Sequence, residues 1–462
     1  MVERQVNQFD REALDQVYGG SGSDPYDPIP LLKMVLYQYL KGNHSPASWF
    51  EEAQLNQAMQ GLGRGYVPAR RTWYEFRDRA GKFIEQVHQQ IIVRSLEEEL
   101  LDPTVGVQDG TTVAACASRH RMVNRPTLEK RIEQLDAIVQ GRFDDEVPKW
   151  VSATDSGKQD LGERMKHASD VLTERIEQNA KKPSDKRKHP DKIQVSLSDP
   201  QAPAGRDKLK VFRPLYTVQY VVALVSHLIM SYCCDPAATD AGTLGTMIDK
   251  TQETVDGRLK TMMADAAYCS IVDLQECQKR DIELLAPVQS NSLTESKKQK
   301  NPHPQIPREE FIWDEMENCY HCPQGHRLDY VDRTRKQRYG DHQLWESRYR
   351  CDPAHCHGCP LTAQCRRPNS ASRTIRRLEG QELLDAQRKK MADPEVQSRY
   401  RLRGQTVELA FADIKGNRHL ARFHGRGPSR ARTETGLMVV AQNLLRLDRL
   451  EKELLTCEKT TT

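Results

Sequence analysis

Three acidic residues occur in sequence contexts that could support metal-dependent chemistry. Asp109 lies in an alternating, β-branched segment, Asp265 directly follows a short apolar segment, and Glu408 lies on an amphipathic helix between Tyr400 and Lys415. Carboxylate oxygens are the ligands that Mg²⁺ prefers, and two ions held about 4 Å apart suit phosphodiester chemistry. The three acids therefore predict a site for two Mg²⁺ ions, with Mn²⁺ as a possible substitute.

Each acid also has a structural alternative. Asp109 precedes Gly110, so the pair could form a turn at the end of a strand. Glu408 could be a solvated charge on an ordinary amphipathic helix. Asp240 is the main rival for a catalytic acid, but it precedes a helical pattern, and we prefer to interpret it as an N-cap.

A cysteine-rich stretch indicates a second kind of metal site. Six of the twelve cysteines cluster in the second half of the chain, and two of its C-x2-C pairs could present four thiolates to one tetrahedral Zn²⁺. Such a site is structural, because four thiolates leave no open position for catalysis. Free thiols in a loop-rich insertion are the alternative, and Cys351, Cys365 and nearby histidines leave the choice of ligands open. The expected ligands are Cys319, Cys322, Cys356 and Cys359.

The elements around the acids predict an α/β sheet. A strand is expected around Asp109, two more between residues 209 and 233 with a break near Ser226, and further short strands at 258–264 and 282–287. Helices are expected at 241–254 and 271–279. Because ligands bind at the carboxyl ends of strands in open α/β sheets, the position of Asp265 after a strand favours chemistry there.

The first hundred residues predict helices. One begins at Pro30, a second spans 46–60, and a third is expected to begin with a capping box of Thr72 and Glu75 and to include Phe83. Arginines cluster around the third helix. They indicate either a helix-turn-helix DNA-binding module or a small helical bundle with a solvated basic face. The expected DNA contacts are Arg70, Arg71 and Arg77.

Further segments complete the organisation of the chain. Apolar stripes at 128–139 and 161–176 predict an αα-hairpin insertion, which a basic linker at 181–192 follows. A polar linker precedes the cysteines. A long helix is predicted at 432–453, and the terminal threonines are expected to be disordered.

Composition limits the class of protein. The 462 residues carry a net charge of +4 from 69 basic and 65 acidic residues, and 37% are hydrophobic, which suffices for several cores. We expect a soluble cytoplasmic protein without membrane contact, because the sequence shows neither a signal peptide nor a long apolar run. The clustered arginines favour polyanionic partners.

The order of these pieces resembles bacterial insertion-sequence transposases of the DDE type, which combine an RNase H-like catalytic core with a helical N-terminal domain. The resemblance implies that Asp109, Asp265 and Glu408 bind the catalytic metals. The matching pieces are the helical block 27–79, Asp109-Gly110-Thr111 with 114–119, Gln219 and Asp240, Ala264-Asp265-Ala266-Ala267-Tyr268, residues 356–361, Glu408 with Phe411 and Lys415, and Asn443-Leu444-Leu445-Arg446-Leu447.

The resemblance also implies residues near bound DNA, namely Tyr400, Arg403 and Lys415. Related transposases separate the arginine from the glutamate by three residues, whereas four residues separate Arg403 from Glu408, so Arg401 is a competitor. Glu408 and Lys415, seven residues apart, are expected to stack on one face of the helix.

The predicted fold class is α/β, with an RNase H-like mixed sheet flanked by helices, an all-α N-terminal domain, a helical insertion and a cysteine-rich insertion. The expected boundaries are 1–102 for the helical DNA-binding domain, 103–288 and 370–455 for the catalytic core, about 124–205 for the helical insertion, 289–369 for the cysteine-rich insertion and 456–462 for a disordered tail.

The expected function is Mg²⁺-dependent cleavage and strand transfer of an insertion sequence. Its partners are double-stranded DNA, as terminal inverted repeats and as target, and other copies of the chain in a homodimer or larger assembly. The protein is expected in the cytoplasm, at the bacterial nucleoid. The alternatives are a metal-dependent nuclease of the same fold and a zinc-stabilised DNA-binding regulator without catalysis.

Overall fold

The computed structural model describes residues 1–18, 26–182, 184, 187–207, 210–237, 242–289, 306–337, 342–367 and 369–461. The chain divides into two compact units. The first contains Met1–Asp240, Thr246–Met263 and Arg401–Thr462, and the second contains Ala241–Gly245 and Ala264–Tyr400. The first 102 residues therefore lie in the same unit as the strand of Asp109.

Helices α1 to α7 form the N-terminal region. Asp27 caps α3, because its side chain accepts a hydrogen bond of 3.0 Å from the backbone N–H of Ile29, and Pro28 suits the first helical turn. The helix therefore begins two residues before the predicted start at Pro30. The bounds are α1 Val2–Val6, α2 Glu12–Tyr18, α3 Pro28–Leu40, α4 Pro46–Leu55, α5 Gln57–Leu62, α6 Arg70–Ala80 and α7 Ile84–Glu97.

The predicted third helix is in fact two helices, and its predicted capping box is wrong. Ala69 occupies the N-cap of α6 without a side-chain hydrogen bond, and Thr72 lies inside the helix. The break before α7 coincides with Gly81, where an added Cβ would lie 2.5 Å from the hydroxyl of Thr433. Gly81 is the C-cap of α6, and the close approach of Thr433 leaves no room for a side chain there.

Five strands in the first unit form a mixed sheet. The strands of the first half of the chain are β1 Val105–Ala114, β2 Met122–Asn124, β3 Gln194–Ser196, β4 Ala204–Arg206, β5 Phe212–Ala223, β6 Ile229–Asp235 and β7 Thr261–Met263. The sheet has the order β4-β5-β1-β7, and β6 also pairs with β5. Strand β5 is antiparallel to β1 and β6, whereas β7 is parallel to β1. The predicted break near Ser226 is confirmed.

The helical insertion forms its own small core. Helices α8 (Arg125–Val139) and α9 (Asp155–Ala180) pack through Leu128, Leu135 and Leu172, and the β2–β3 pair adds Val123. The helices begin at side-chain caps: Asn124 accepts from the N–H of Thr127 and Thr154 from that of Gly157. The predicted αα-hairpin is confirmed.

The second unit contains the cysteine-rich sheet. Helix α10 (Leu244–Thr254) begins in this unit, and α11 (Ile271–Lys279) and β8 (Glu283–Leu285) follow. Five antiparallel strands in the order β13-β12-β11-β10-β9 then pack around Phe311, Tyr320, Leu328, Tyr349 and Ile375. Their bounds are β9 Ile312–Asp314, β10 Cys319–His321, β11 Arg327–Gln337, β12 Gln343–Cys351 and β13 Thr374–Leu378, with the short helices α12 Pro353–Cys356 and α13 Thr362–Cys365 between the last two.

The C-terminal part is helical. Helix α14 covers Gln381–Ala392, α15 covers Pro394–Ala412, a π-helical turn covers Asp413–Asn417 and α16 covers Pro428–Thr461. Helix α16 packs on α3, α7 and β6, and the amide of Asn443 makes two hydrogen bonds of 2.9 Å with the backbone of Ile229. Helix α16 continues to Thr461, beyond the predicted end of the long helix at residue 453.

The predicted fold class is confirmed as a mixed α/β sheet with N-terminal helices, a helical insertion and an extra antiparallel sheet that carries the cysteines. No helix in the described residues is both long enough and apolar enough to cross a membrane.

Candidate functional site

Asp109 lies inside β1, opposite Tyr220 of β5, and not in a turn. Its carboxylate accepts a hydrogen bond of 2.7 Å from the N–H of Gly110 and pairs at 3.3 Å with Nη2 of Arg403. The side chains of Asp109 and Arg403 are 28% and 17% exposed, so the pair is only partly solvated. The ion pair joins α15 to the strand that carries the first acid.

Glu408 lies on α15, close to this ion pair. The neighbouring Val407 and Phe411 are buried, as predicted, and the ring of Phe411 contacts that of Tyr220 at 5.5 Å. Glu408 itself is exposed, and its Oε1 lies 4.0 Å from the position that a Cβ would take at Gly404. Because side chains on a helix lean toward its N-terminus, the carboxylate lies over the turn that carries Arg403.

Lys415 is held by β1. Helix α15 ends at Ala412, and Lys415 belongs to the π-helical turn that follows. Its ammonium group donates a hydrogen bond of 2.9 Å to the carbonyl of Thr112, three residues after Asp109. The α-helical period on which the predicted stacking of Lys415 with Glu408 depends therefore ends before Lys415.

Asp265 belongs to the second unit. It stands two residues after β7, and its carboxylate accepts a hydrogen bond of 2.8 Å from the N–H of Ala267, which caps a short 3₁₀ helix. The adjacent Ala264 donates to the carbonyl of Leu285 in β8 and accepts from the hydroxyl of Tyr400 at 3.1 Å. Tyr400 thus contacts the segment of Asp265. The rival acid Asp240 lies outside the described residues.

The two candidate arginines differ in their exposure and contacts. Arg401 is exposed, whereas Arg403 is mostly buried against Asp109. Nε of Arg403 is buried and has no hydrogen-bond partner among the described residues. The guanidinium of Arg403 already lies against the carboxylate of Asp109. This carboxylate is therefore in a position to bind a positive charge.

The described residues contain no ready-made group of three or more His, Cys, Asp or Glu side chains that could hold a metal ion. Neither the three acids nor the described cysteines form such a group. Ligand binding at either place would require side chains to converge.

The three N-terminal arginines differ in exposure. Arg70 is exposed, and Arg71 is 90% exposed in a pair with Glu75. Arg77 is only 4% exposed and pairs with Asp78. The burial of Arg77 removes it from the predicted DNA contacts, because a buried, paired guanidinium cannot reach a phosphate. Its position on the inner face of α6 follows from packing rather than from charge.

Replacing Arg70 and Arg71 together by alanine should weaken DNA binding and reduce the dependence of log K on log salt concentration by about two, because each lost phosphate contact lowers that slope by about 0.9. The pair of Arg71 with Glu75 offers little resistance to a phosphate, since exposed ion pairs are weak. Fluorescence anisotropy at several salt concentrations measures the slope. The matched control is Arg142→Ala with Arg258→Ala, two exposed arginines elsewhere in the chain; equal slopes for the two variants would contradict the prediction.

Four cysteines surround one end of the cysteine-rich sheet. The N–H of Gly325 donates to the carbonyl of Cys322, and that of Cys322 to the carbonyl of His326, so Cys322 opens the tight turn between β10 and β11. The rings of His326 and His355 stack at 4.5 Å, which joins this turn to α12 and Cys356. The sequence left Cys365 open as an alternative ligand.

Cys365 has cysteine neighbours. Burial raises its pKa, Arg373 opposes that rise, and Cys356, Cys322 and Cys359 add to it. The spacing Cys356-x2-Cys359-x5-Cys365 was the available signal in the sequence.

Cys351 and Cys319 are placed differently. Cys351 is buried in the apolar cluster, and burial together with a hydrogen bond to Cys356 raises its pKa to about 12. Cys319 is fully buried and its sulfur lies 3.7 Å from Nε2 of His321. Because Tyr320 faces the cluster and side chains alternate along a strand, Cys319 faces away from it. The prediction of Cys319 as a ligand is therefore corrected.

Comparison with known families matches part of the chain. Residues 321–448, a little over a quarter of the chain, match the family model described as "Transposase DDE domain". The matched stretch contains Glu408, Arg403 and the cysteines from Cys322 onward, but neither Asp109 nor Asp265. No curated protein and no solved structure matches the chain.

Proposed function

We propose that this protein is a DDE transposase that cleaves DNA at the ends of a mobile element and joins the freed 3′ ends to target DNA. The observation that carries the proposal is the ion pair of Arg403 with Asp109, which brings the helix of Glu408, inside the matched stretch, to a strand acid outside it. Double-stranded DNA is the substrate, and a dimer or larger assembly of the chain on DNA is part of the proposal.

The proposed metal ligands are Asp109, Asp265 and Glu408. Asp109 and Asp265 each stand two residues beyond Val107 and Met263, the last residues paired between β1 and β7. Bound Mg²⁺ would activate the attacking oxygen of water or of a 3′ hydroxyl and would stabilise charge on the leaving oxygen.

The residues of the chain position the acids and the DNA. Arg403 fixes the carboxylate of Asp109 through their ion pair. Lys415 holds β1 through Thr112, which keeps the strand of Asp109 in place. Tyr400 does the same for the segment of Asp265 through the carbonyl of Ala264. Such positioning is the main task of a protein in metal-assisted phosphoryl transfer.

A structural zinc site in the cysteine-rich sheet is also proposed. The corrected ligands are Cys322, Cys356, Cys359 and Cys365. All four are partly exposed, whereas Cys351 is buried in the apolar cluster and forms a hydrogen bond with Cys356. Zinc would fasten the β10–β11 turn to the two short helices that follow β12.

A joining assay tests the proposed function. The purified protein, Mg²⁺ and DNA that carries the ends of the element with its flanking sequence should give nicked ends and then joined products. A pre-cleaved end with a free 3′ hydroxyl should also be joined to target DNA. Cleavage without joining would instead show a nuclease of the same fold. DNA binding without cleavage under Mg²⁺ or Mn²⁺ would show a regulator.

A further inference from the structure

A cavity of about 950 Å³ opens in the first unit next to the end of β1. The connection from β1 to β2, helices α8 and α9, the start of β5 and the segment after the π-helical turn line it. Eight lysine and arginine side chains belong to this lining, and the described residues contribute no aspartate or glutamate to it. Such a concentration of one charge produces a strongly positive potential in the cavity.

The cations come from separate elements. Arg119 and Arg121 belong to the β1–β2 connection, Arg131 to α8, Arg164 to α9 and Arg422 to the segment before α16. No single amphipathic helix or basic run in the sequence predicts this set. The fold therefore gathers like charges that repel one another, and an anionic ligand would offset that repulsion.

Most of these cations remain available to a ligand. Within the described parts of the chain, Arg213 is the one cavity cation that pairs with a carboxylate, at 3.0 Å from Asp207. Arg422 donates to the carbonyl of Ala117 at 3.3 Å, and Arg119 donates to Nε2 of His120 at 3.0 Å. These neutral partners position the side chains but leave their positive charges uncompensated.

The cavity lies on the strand that carries Asp109. The N–H of Ala114, the last residue of β1, donates to the carbonyl of Ala421, and the N–H of Phe423 donates to the carbonyl of Ala114. Both bonds fix the segment of Arg422 at the end of β1. Ala114 lies five residues after Asp109 on the strand, a span of about 17 Å. Phosphates of one DNA strand are spaced about 3.4 Å apart along the helix axis, so the span corresponds to about five nucleotides.

We propose that this cavity binds the phosphate backbone of the DNA on which the Asp109 site acts, about five nucleotides from the reacting phosphodiester. The proposal rests on the proposed function. Arginine suits this task because its planar guanidinium can form two parallel hydrogen bonds with a phosphate.

Replacing Arg119, Arg121 and Arg164 together by alanine tests the proposal. Anisotropy of a labelled random-sequence duplex, titrated without Mg²⁺ at several salt concentrations, measures binding without any chemistry. We expect binding at least tenfold weaker than that of the unmodified protein at low salt, and a salt slope smaller by about 2.7, or 0.9 for each of three lost phosphate contacts. The matched control replaces Arg142, Arg258 and Lys260, three exposed cations outside the cavity lining, by alanine.

Two further results decide the interpretation. Replacement of the same three cavity arginines by lysine keeps the charges and should restore most of the slope, which a loss of folding would not allow. Equal salt slopes for the cavity variant and the control would overturn the proposal. The proposal would also be overturned if the cavity bound inorganic phosphate but the cavity variant kept the salt slope of DNA binding unchanged. Parallel cleavage assays separate the two proposals: wild-type protein that binds DNA through the cavity but never cuts it would refute only the proposed function.

Discussion

Replacing Glu408 by glutamine should lower DNA strand cleavage by about 10⁴-fold or more, the scale of loss when one member of a catalytic unit is removed. Glutamine keeps the shape of the side chain but removes the negative charge that would bind Mg²⁺. Glu408 is exposed, and its carboxylate makes no ion pair with the described residues. The stability of the protein and its DNA binding without Mg²⁺ should therefore remain unchanged. Gel assays of nicking and joining, with a thermal melt of each protein, measure the effect.

The matched control is Glu395→Gln, the same chemical change at an exposed position on the same helix. It should keep full activity. Asp109→Asn should lose activity as Glu408→Gln does, but it should also lower stability by about 1–2 kcal/mol, because it leaves the partly buried Arg403 without its carboxylate. Full cleavage by Glu408→Gln would refute the assignment of this acid.

Replacing Cys365 by serine should remove the bound zinc, whereas replacing Cys319 should leave it in place. The unmodified protein should contain about one zinc per chain. Metal binding to four thiolates contributes apparent free energies of about 10–16 kcal/mol in small zinc domains. Loss of one ligand should therefore expose the segment between residues 306 and 378 to protease. Metal analysis of the purified proteins and limited proteolysis measure the two effects.

The two cysteine variants form an internal comparison. Both change a sulfur to an oxygen in the cysteine-rich region, Cys319 on β10 and Cys365 on α13, but of the two only Cys365 has cysteine neighbours, while Cys319 contacts His321. If Cys365→Ser kept its zinc and Cys319→Ser lost it, Cys319 and not Cys365 would be the zinc ligand. Iron with visible absorption in place of zinc would show an iron–sulfur cluster and refute the zinc assignment.

Local patterns predicted much of the fold. Helix α11 begins and ends where the sequence places it, at residues 271 and 279, because Ser270 and Asp273 cap each other's backbone at its start. The αα-hairpin follows from regular apolar stripes, and β1 follows from alternation of β-branched residues. In each case the signal lies within about fifteen residues of the element that it predicts, as expected for periodic patterns.

Features that depend on distant segments could not be predicted in this way. The burial of Arg77 results from packing of α6, and the lack of room for a side chain at Gly81 from the approach of Thr433. The contact of Arg403 with Asp109 joins residues almost three hundred positions apart. The sequence indicates which residue types could act, but the partner of each charge depends on tertiary approach.

Helix α16 also determines when the first unit can fold during synthesis. It contacts α3 and α7, and Asp448 pairs with Arg4 at 2.5 Å, so the first and last helices of the unit meet. The N-terminal helices leave the ribosome long before α16 is made. Until α16 is complete, the apolar surfaces on which it packs remain exposed to solvent. A polypeptide that stops before Pro428 keeps these surfaces exposed to chaperones and proteases. Completion of the unit is therefore a late event, governed by contacts of very high sequence separation.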